Sequence, residues 1–181
     1  FGPEHPKRDG GDGASPPPGG LDTGLPGFGP FATSGHHCFD PSHPAFVRLA
    51  ALTAVRRNFP VLRTGRQYLR PHDILGNRIV PGGGNLMAWS RILSGNEALV
   101  VVNSHAVSSR QGRILIDAHL NSSGATMTVI ANTAESADPT GFAGPHKVGS
   151  TVPVEKDSDG ATFVTISAVG PSEVLILTNN P

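Results

Sequence analysis

The segment GHHCFDPSHP, residues 35–44, places three histidines, the single cysteine and an aspartate within ten positions. Imidazole, thiolate and carboxylate groups are zinc ligands, and a zinc site needs about four of them in tetrahedral positions. His36, His37 and Cys38 are consecutive, so their side chains diverge, and Cys38 with His43 would still need two further ligands. No C-x-x-C or H-x-x-x-H spacing elsewhere supplies them. We therefore interpret this segment as the start of a helix and predict no metal site.

A single long helix is predicted over residues 44–59, PAFVRLAALTAVRRNF. Alanine and leucine dominate the segment, and neither glycine nor proline interrupts its interior, which favours helix. Proline is tolerated in the first turn of a helix, and Pro60 closes the segment. The candidate capping and first-turn residues are Asp40, Pro41, Ser42, His43 and Pro44, with Phe39 before them as a candidate hydrophobic staple.

This predicted helix is apolar around most of its circumference. Successive residues are about 100° apart, so one side carries Phe46, Val47, Ala50 and Ala54. The other side carries Leu49, Leu52, Val55 and Phe59. A surface helix has one apolar stripe, so a helix with two is expected to be buried on two sides. The rest of this chain is expected to cover one of them.

The first part of the chain reads as irregular. Residues 1–30 contain 9 Gly and 7 Pro without an apolar period, which indicates a loop or linker, and we assign residues 1–35 to it. Phe28 and Phe31 leave open a long loop that folds only against a further domain. The chain begins at Phe1 with no signal segment, so we expect it to be a piece of a longer protein or a processed product.

From about Gly65 onward the apolar period changes to two, which predicts strands. Eight candidates are bounded by turn residues: 66–70, 86–93, 97–103, 113–117, 126–132, 151–156, 161–167 and 173–179. The links SGN (94–96) and DSDG (157–160) are hairpin signals. No helical pattern separates the strands, so parallel βαβ units are not expected. The sequence predicts a mainly β protein, an eight-stranded antiparallel β-sandwich preceded by one helix.

Charge and composition exclude several function classes. Lys+Arg 14 balances Asp+Glu 14, so there is no basic excess to neutralise phosphates, and nucleic acid is not an expected partner. The apolar runs are far shorter than the roughly 20 residues of a membrane span, so no membrane association is expected. One cysteine excludes an internal disulfide framework. Nothing in the sequence indicates a compartment.

The smaller motifs of the sequence do not indicate a chemical function. PGGGN (81–85) lacks the Lys-Ser/Thr ending of a phosphate loop and precedes a strand, so we interpret it as a strand connection and expect no cofactor. NSS (121–123) is a glycosylation sequon that matters only in a eukaryotic secretory context. No G-x-S-x-G elbow is present. Arg56, Arg57 and the arginines of RTGRQYLR are interpreted as a solvated face or as interface ion pairs.

Trp89 and Tyr68 are the candidates for a sugar-binding surface, since aromatic faces stack on sugars. Alternation in strand 86–93 places Trp89 on one side with Met87 and Arg91. Both sides of that strand are half apolar, which favours core or interface packing for Trp89. Aromatic residues make up 6% of the chain, which argues against a large carbohydrate-binding surface.

Two phrases in order, HCFDPSHPAFVRLAALTAVRRNFPVLRTGRQYLR and NLMAWSRILSGNEALVVVN, resemble the C-terminal part of the alpha-amylase family of glycoside hydrolases. There, a phrase like FDPSHP introduces the last helix of the catalytic barrel, and a P-x-L-R-x-G turn leads into an antiparallel Greek-key sandwich called domain C. The resemblance covers about residues 36–180. It implies that residues 36–64 carry the last barrel helix and residues 65–181 form the sandwich.

The resemblance implies no catalytic residue on this chain. The family hydrolyses or transfers α-glucosidic linkages with retention, and that chemistry uses two carboxyl groups about 5 Å apart. Those residues lie within phrases such as G-x-R-x-D and N-H-D, which do not occur here. The aspartates outside the first 35 residues are assigned to the helix start, turns and strand ends: Asp40, Asp73, Asp117, Asp138, Asp157 and Asp159.

Two functions remain open at the sequence level. The first is a non-catalytic C-terminal segment of an alpha-amylase-type enzyme, with the catalytic (β/α) barrel as its partner and an α-glucan as a possible second one. This reading predicts an exposed apolar patch around Phe46, Val47, Ala50 and Ala54 on the isolated chain. The alternative is a stand-alone β-sandwich that binds glycan or protein. The reaction of the parent enzyme cannot be derived from these residues.

Overall fold

The computed structural model describes residues 42, 44–74, 77–79 and 85–181. Two compact units are present, Phe1–Leu49 and Ala50–Pro181. The predictions for residues 1–35, for His36, His37, Cys38, Asp40 and His43, and for the loop up to residue 84 lie outside the described residues. No described helix is long and apolar enough to span a membrane.

Three helices and ten strands form within the described residues. The helices are α1 Pro44–Asn58, α2 Pro60–Thr64 and α3 Thr133–Ala137. The strands are β1 Arg66–Leu69, β2 His72–Ile74, β3 Asn77–Ile79, β4 Leu86–Leu93, β5 Asn96–Asn103, β6 Arg110–Leu115, β7 Thr126–Asn132, β8 Thr151–Lys156, β9 Thr162–Val169 and β10 Val174–Thr178.

All eight predicted strands are present, and the long helix ends one residue earlier than predicted. The helix stops because Phe59 precedes a proline, which disfavours the helical conformation, and its backbone is extended at φ −109° and ψ 102°. Pro60 then opens α2. The short strands β2 and β3 were not predicted, because three residues are too few to establish an alternating pattern.

The strands form one antiparallel sheet in the order β1-β4-β5-β10-β7-β8-β9-β6-β2-β3. Within it, β10-β7-β8-β9 is a Greek key: three strands in chain order, followed by a fourth that returns beside the first. Strand β8 pairs with β7 through Met127↔Val152 and with β9 through Val154↔Val164. The sheet therefore turns at β8 into two halves, β1-β4-β5-β10-β7 and β9-β6-β2-β3.

The two halves face each other across one apolar core. A Cβ placed on Gly112 of β6 would lie 3.7 Å from Leu86 Cδ1 of β4, although these strands are far apart in the sheet order. The core residues come from both halves and include Leu86, Leu99, Ile114, Met127, Val129, Val152, Val164, Ile166, Leu175 and Leu177. The predicted mainly β, antiparallel architecture with a preceding helix is confirmed.

Both predicted hairpin turns are present. Ser94 and Gly95 both have positive φ, 49° and 86°, as a two-residue hairpin turn between β4 and β5 requires. In the second turn, Asp157 Oδ1 accepts hydrogen bonds from the backbone N–H groups of Asp159 and Ala161 at 3.0 and 2.8 Å. Gly160 there has φ 82°. These turns set the registers of the β4–β5 and β8–β9 pairs.

Gly65 forms the tight junction between α2 and β1. Its N–H donates to Val61 O at 3.0 Å, and a Cβ at this position would lie 2.5 Å from that oxygen. The same Cβ would lie 3.0 Å from both Ile92 N and Ile92 O of β4. Only glycine lets the chain pass so close to β4.

Gly65→Ala is expected to lower the free energy of unfolding by about 1–3 kcal/mol, because backbone atoms would have to move. Urea denaturation measures the loss. Gly112→Ala is the matched control, since its Cβ would meet only Leu86 Cδ1 at an ordinary 3.7 Å. Equal stability of the two variants would contradict the proposed close approach.

Candidate functional site

The half-sheet that contains β5 and β10 is buried on both faces. In β5, the five residues from Glu97 to Val101 are all buried, and in β10 the four residues from Leu175 to Thr178 are buried. Strand β8 instead alternates, with Val152 and Val154 buried and Thr151 and Pro153 exposed. A strand buried on both faces needs cover on both, because each apolar face must be removed from water.

The second face of this half-sheet carries its own apolar cluster, which we call the outer-face cluster. Val100, Ala131 and Ile176 are its buried members, and they alternate along the strands with core residues such as Leu99, Val129 and Leu175. The partly buried residues packed against them are Leu52, Val55, Leu62, Trp89, Val102, Ile130 and Val174. Helices α1 and α2 therefore cover part of the outer face.

Only one stripe of α1 is covered. Ala51, Leu52 and Val55 are half-buried, whereas Ala50, Thr53 and Arg57 are exposed, as the helical period requires for a helix lying on a sheet. Towards the start of α1, the side chains of Phe46 and Leu49 are 42% and 65% exposed. Two of the other residues of the expected patch, Val47 and Ala54, are half-buried.

The exposure of Leu49 corrects the assignment made from the sequence. Leu49 was placed on the same side as Leu52 and Val55, but it is 65% exposed. The covered stripe is therefore displaced around the helix, away from Leu49 and towards Val47 and Ala54, which are half-buried.

The outer-face cluster continues beyond the two helices. Leu69 of β1 lies opposite Trp89, and Met87 of β4 lies opposite Val102. Leu69 and Met87 are 63% and 41% exposed. Large exposed apolar side chains that continue a packed apolar surface are typical of a surface that binds another protein surface.

At one end of the core, a buried carboxylate organises a polar network. Glu97 is fully buried on the core side of β5. Its Oε1 accepts hydrogen bonds from the Arg70 guanidinium at 2.7 Å and from the Ser90 hydroxyl. Its Oε2 accepts from the backbone N–H of Asp117 at 3.1 Å and from the Asn121 side chain. Four donors satisfy the carboxylate, as burial of a charge requires.

This network joins several elements of the fold. It joins the segment after β1, strands β4 and β5, and the connection between β6 and β7. Asp117 Oδ2 lies 3.8 Å from Arg70 Nη2, so the arginine balances two carboxylates. Glu97 was not among the candidate residues that the sequence pattern indicated. The sequence did contain a sign of it: in the strand NEALVVVN, alternation places the charged Glu97 on the same face as the core residues Leu99 and Val101.

Among the described aspartates that the sequence singled out, Asp117, Asp138 and Asp157 serve separate local structures. Asp117 belongs to the Glu97 network, Asp138 Oδ1 accepts the Gly141 N–H at 2.9 Å after α3, and Asp157 holds the β8–β9 turn. Among the described residues, no group of three or more His, Cys, Asp and Glu side chains is placed to hold a metal ion. These aspartates serve local backbone structure.

The two candidate aromatic residues lie in different environments. Trp89 packs into the outer-face cluster and is half-buried, as predicted. Tyr68 is 43% exposed, with Arg70 Cζ 5.9 Å from its ring centroid. Only Tyr68 offers an exposed ring, so the two residues do not form a shared sugar-binding surface.

Comparison with known proteins gives weak likenesses to solved structures. No family model matches the chain, and no curated protein is significantly similar to it. One similar solved structure is an inactive double mutant of MutB in complex with isomaltulose, at 18% identity and a TM-score of 0.41. The match covers 77% of this chain and 18% of that one, so the chain spans less than a fifth of its neighbour. At this level the likeness carries no functional assignment.

Glu97→Ala is expected to destabilise the protein by about 3–5 kcal/mol, because it leaves the largely buried Arg70 with only the more distant Asp117 carboxylate, at 3.8 Å, to balance its charge. Thermal or urea unfolding followed by circular dichroism measures the loss. The matched control is Glu155→Ala, which removes an exposed carboxylate that accepts from Thr165 Oγ1 at 2.8 Å. A similar small effect in both variants would contradict the role given to Glu97.

The sequon at Asn121 is expected to remain unmodified in folded protein. Asn121 is 2% exposed, and its Nδ2 donates to Asp117 O at 2.9 Å and to Glu97, so a glycan on that nitrogen would break the network. After secretion from a glycosylating host, mass spectrometry of the folded monomer should find Asn121 bare. A glycosylated Asn121 in folded, monomeric protein would contradict the geometry.

Proposed function

We propose that this chain is the non-catalytic C-terminal segment of an alpha-amylase-type glycoside hydrolase that acts on α-glucans. In this proposal α1 is the last helix of the catalytic (β/α) barrel, and residues 65–181 are the sandwich that stabilises it. The ordered phrases of the sequence support the family, and the Greek-key arrangement of β7 to β10 fits the sandwich that this resemblance implies.

One observation carries the proposal: the two sides of α1 are in different environments. Leu52 and Val55 pack on the outer-face cluster, while Phe46 and Leu49 remain 42% and 65% exposed. Fully burying a side chain such as Phe or Leu is worth about 1.5–3 kcal/mol. A helix with apolar residues on both sides gains most when a second body covers it, and the barrel is the body that the resemblance supplies.

In this proposal the chain stabilises the catalytic barrel by burying the apolar surface of α1, and it takes no part in the reaction. The sandwich core fixes β4, β5, β7 and β10, and their outer face in turn holds Leu52 and Val55 of α1. A last barrel helix held in this way cannot fray, so the strands and loops of the catalytic body keep their positions. The catalytic carboxylates belong to the remainder of the polypeptide, within the phrases that this chain lacks.

The alternative function, a stand-alone module that binds glycan, has one supporting observation. Tyr68 is exposed beside Arg70, and such a ring could stack on a sugar. Trp89 is unavailable, because it packs under the helices. Titration with maltooligosaccharides separates the two functions: the alternative requires binding that Tyr68→Ala removes, and the main proposal requires none.

The isolated chain should bind a hydrophobic dye such as ANS, and Phe46→Asp should reduce that binding without lowering the melting temperature, since Phe46 is already partly exposed. Val107→Asp is the matched control, because Val107 is 79% exposed in a different segment. If the wild-type chain bound no dye, the prediction of an exposed apolar patch around Phe46 would be wrong.

In a longer polypeptide that also contains the catalytic barrel, Phe46→Asp should lower the stability of the protein. If the upstream reading frame encodes barrel strands and their carboxylate phrases, Phe46→Asp should cost about 2 kcal/mol or more, because a charge would enter a buried interface. Val107→Asp should remain neutral. An upstream start codon without barrel strands would favour the stand-alone module instead.

A further inference from the structure

The strand registers place one row of apolar side chains straight across the outer face of the half-sheet, and we call it the outer row. Leu69 lies opposite Trp89, and Trp89 lies opposite Val100. Val100 in turn lies opposite Ile176, which lies opposite Ala131. The outer row therefore crosses β1, β4, β5, β10 and β7 in the order of the sheet.

Exposure rises along the outer row towards the edge strand β1. Its members on β5, β10 and β7 are buried, Trp89 on β4 is half-buried, and Leu69 on β1 is 63% exposed. The helical side chains that pack on this face are Leu52 and Val55 of α1 and Leu62 of α2. Within the described residues, the cover from the two helices does not reach the end of the row.

A neighbouring row on the same face shows the same trend. Met87 lies opposite Val102, and Val102 lies opposite Val174. Val102 and Val174 are half-buried in the outer-face cluster, whereas Met87 is 41% exposed. Since Met87 lies diagonally across from Leu69 at the uncovered end of both rows, we call these two residues the β1–β4 surface.

On the other side of the outer row, the same face is polar. Gln67 lies opposite Arg91, and its Oε1 accepts a hydrogen bond from Arg91 Nη1 at 3.3 Å. Protein interfaces commonly have an apolar centre and a polar rim. The β1–β4 surface thus extends an apolar layer that α1 and α2 already cover in part, and its polar neighbours mark one limit of that layer.

The spacing of strands and helices indicates what could cover this surface. Neighbouring strands lie about 4.8 Å apart, so Leu69 on β1 is about 10 Å from Val100 on β5, two strands away. Packed helices also lie about 8–10 Å apart, and in a (β/α) barrel the helices form a continuous outer ring. If α1 is one helix of such a ring, a helix that packs beside it would pass above the β1–β4 surface.

We infer that the β1–β4 surface binds the catalytic body directly, through an apolar face of the helix that packs beside α1. This inference rests on the proposed function and adds a second contact, which the sheet itself makes. The partner face is apolar, because a charged group placed against Leu69 and Met87 would lose water without gaining a hydrogen-bond partner.

Thiol labelling at position 69 tests the inference, in a background with Cys38 replaced by serine. Leu69→Cys should react rapidly with iodoacetamide in the 181-residue chain, because position 69 is exposed there. In the longer polypeptide that contains the barrel, labelling should be at least about tenfold slower, because it then requires local opening. Mass spectrometry of the peptide that carries position 69 measures both rates.

Tyr68→Cys is the matched control. Tyr68 is the preceding residue of the same strand and is 43% exposed, but it lies opposite Ser90 on the other face of the sheet. Its labelling should be rapid in both proteins.

Three results would overturn the inference. The first is equally fast labelling of Leu69→Cys in both proteins. The second is an equal slowing of Tyr68→Cys, since the partner would then cover the edge of β1 and not its outer face. The third is slow labelling of Leu69→Cys in the 181-residue chain itself, which would assign the surface to another segment of this chain or to a second copy.

Phe46→Cys in the same background separates this inference from the proposed function. If position 46 is protected in the longer polypeptide and position 69 is not, the proposed function stands and the direct contact of the sheet is wrong. If neither position is protected there, both are wrong.

Discussion

The structure depends on a half-sheet that is apolar on both faces. Alternation along β5 and β10 sends Leu99 and Leu175 into the core and Val100 and Ile176 to the outer side. An antiparallel sheet commonly leaves one face to water, and strand β8 does so. The half with β5 cannot, because its outer valines and isoleucines would be hydrated. Helices α1 and α2, the Gly65 junction and the position of Trp89 all follow from that need for cover.

Covering a sheet with a helix is stable only if the sheet itself is rigid. The Glu97 network provides part of that rigidity, since one carboxylate of β5 accepts from four donors in three other segments of the chain. A second buried carboxylate, Glu173, accepts from Asn132 Nδ2 at 2.7 Å and from the Gly170 N–H, and it closes the opposite end of β7 and β10. Polar groups thus fix both ends of an apolar layer whose own contacts are not directional.

Much of this fold could be predicted from period and turn chemistry. The eight longer strands alternate strongly, and Ser94-Gly95 and Asp157 carry the turns that pair them. What could not be predicted depends on long-range pairing: β2 and β3 are too short to show a pattern, and Glu97 finds Asn121 across 24 residues. The direction of the covered stripe on α1 was also misjudged at Leu49, because a helical wheel does not show from which side the sheet approaches the helix.

The candidate site was likewise predictable where it depends on local pattern and not where it depends on long-range pairing. The two apolar sides of α1 were readable from the spacing of Phe46, Leu52 and Val55. The arginines of RTGRQYLR were readable as a motif, but the hydrogen bond from Arg91 Nη2 to Arg63 O was not, because it depends on the β1–β4 pairing. Sequence patterns reveal which faces need a partner, whereas the fold decides which of those faces adjoin each other.

The most direct test of the account is the solvent accessibility of position 46 in the two settings. With Cys38 replaced by serine, Phe46→Cys places a single thiol on α1, and its alkylation rate by iodoacetamide can be followed by mass spectrometry. The account predicts fast labelling in the 181-residue chain and at least about tenfold slower labelling in the longer polypeptide, because labelling there requires local opening. Equal rates in both would contradict the claim that α1 is covered on two sides.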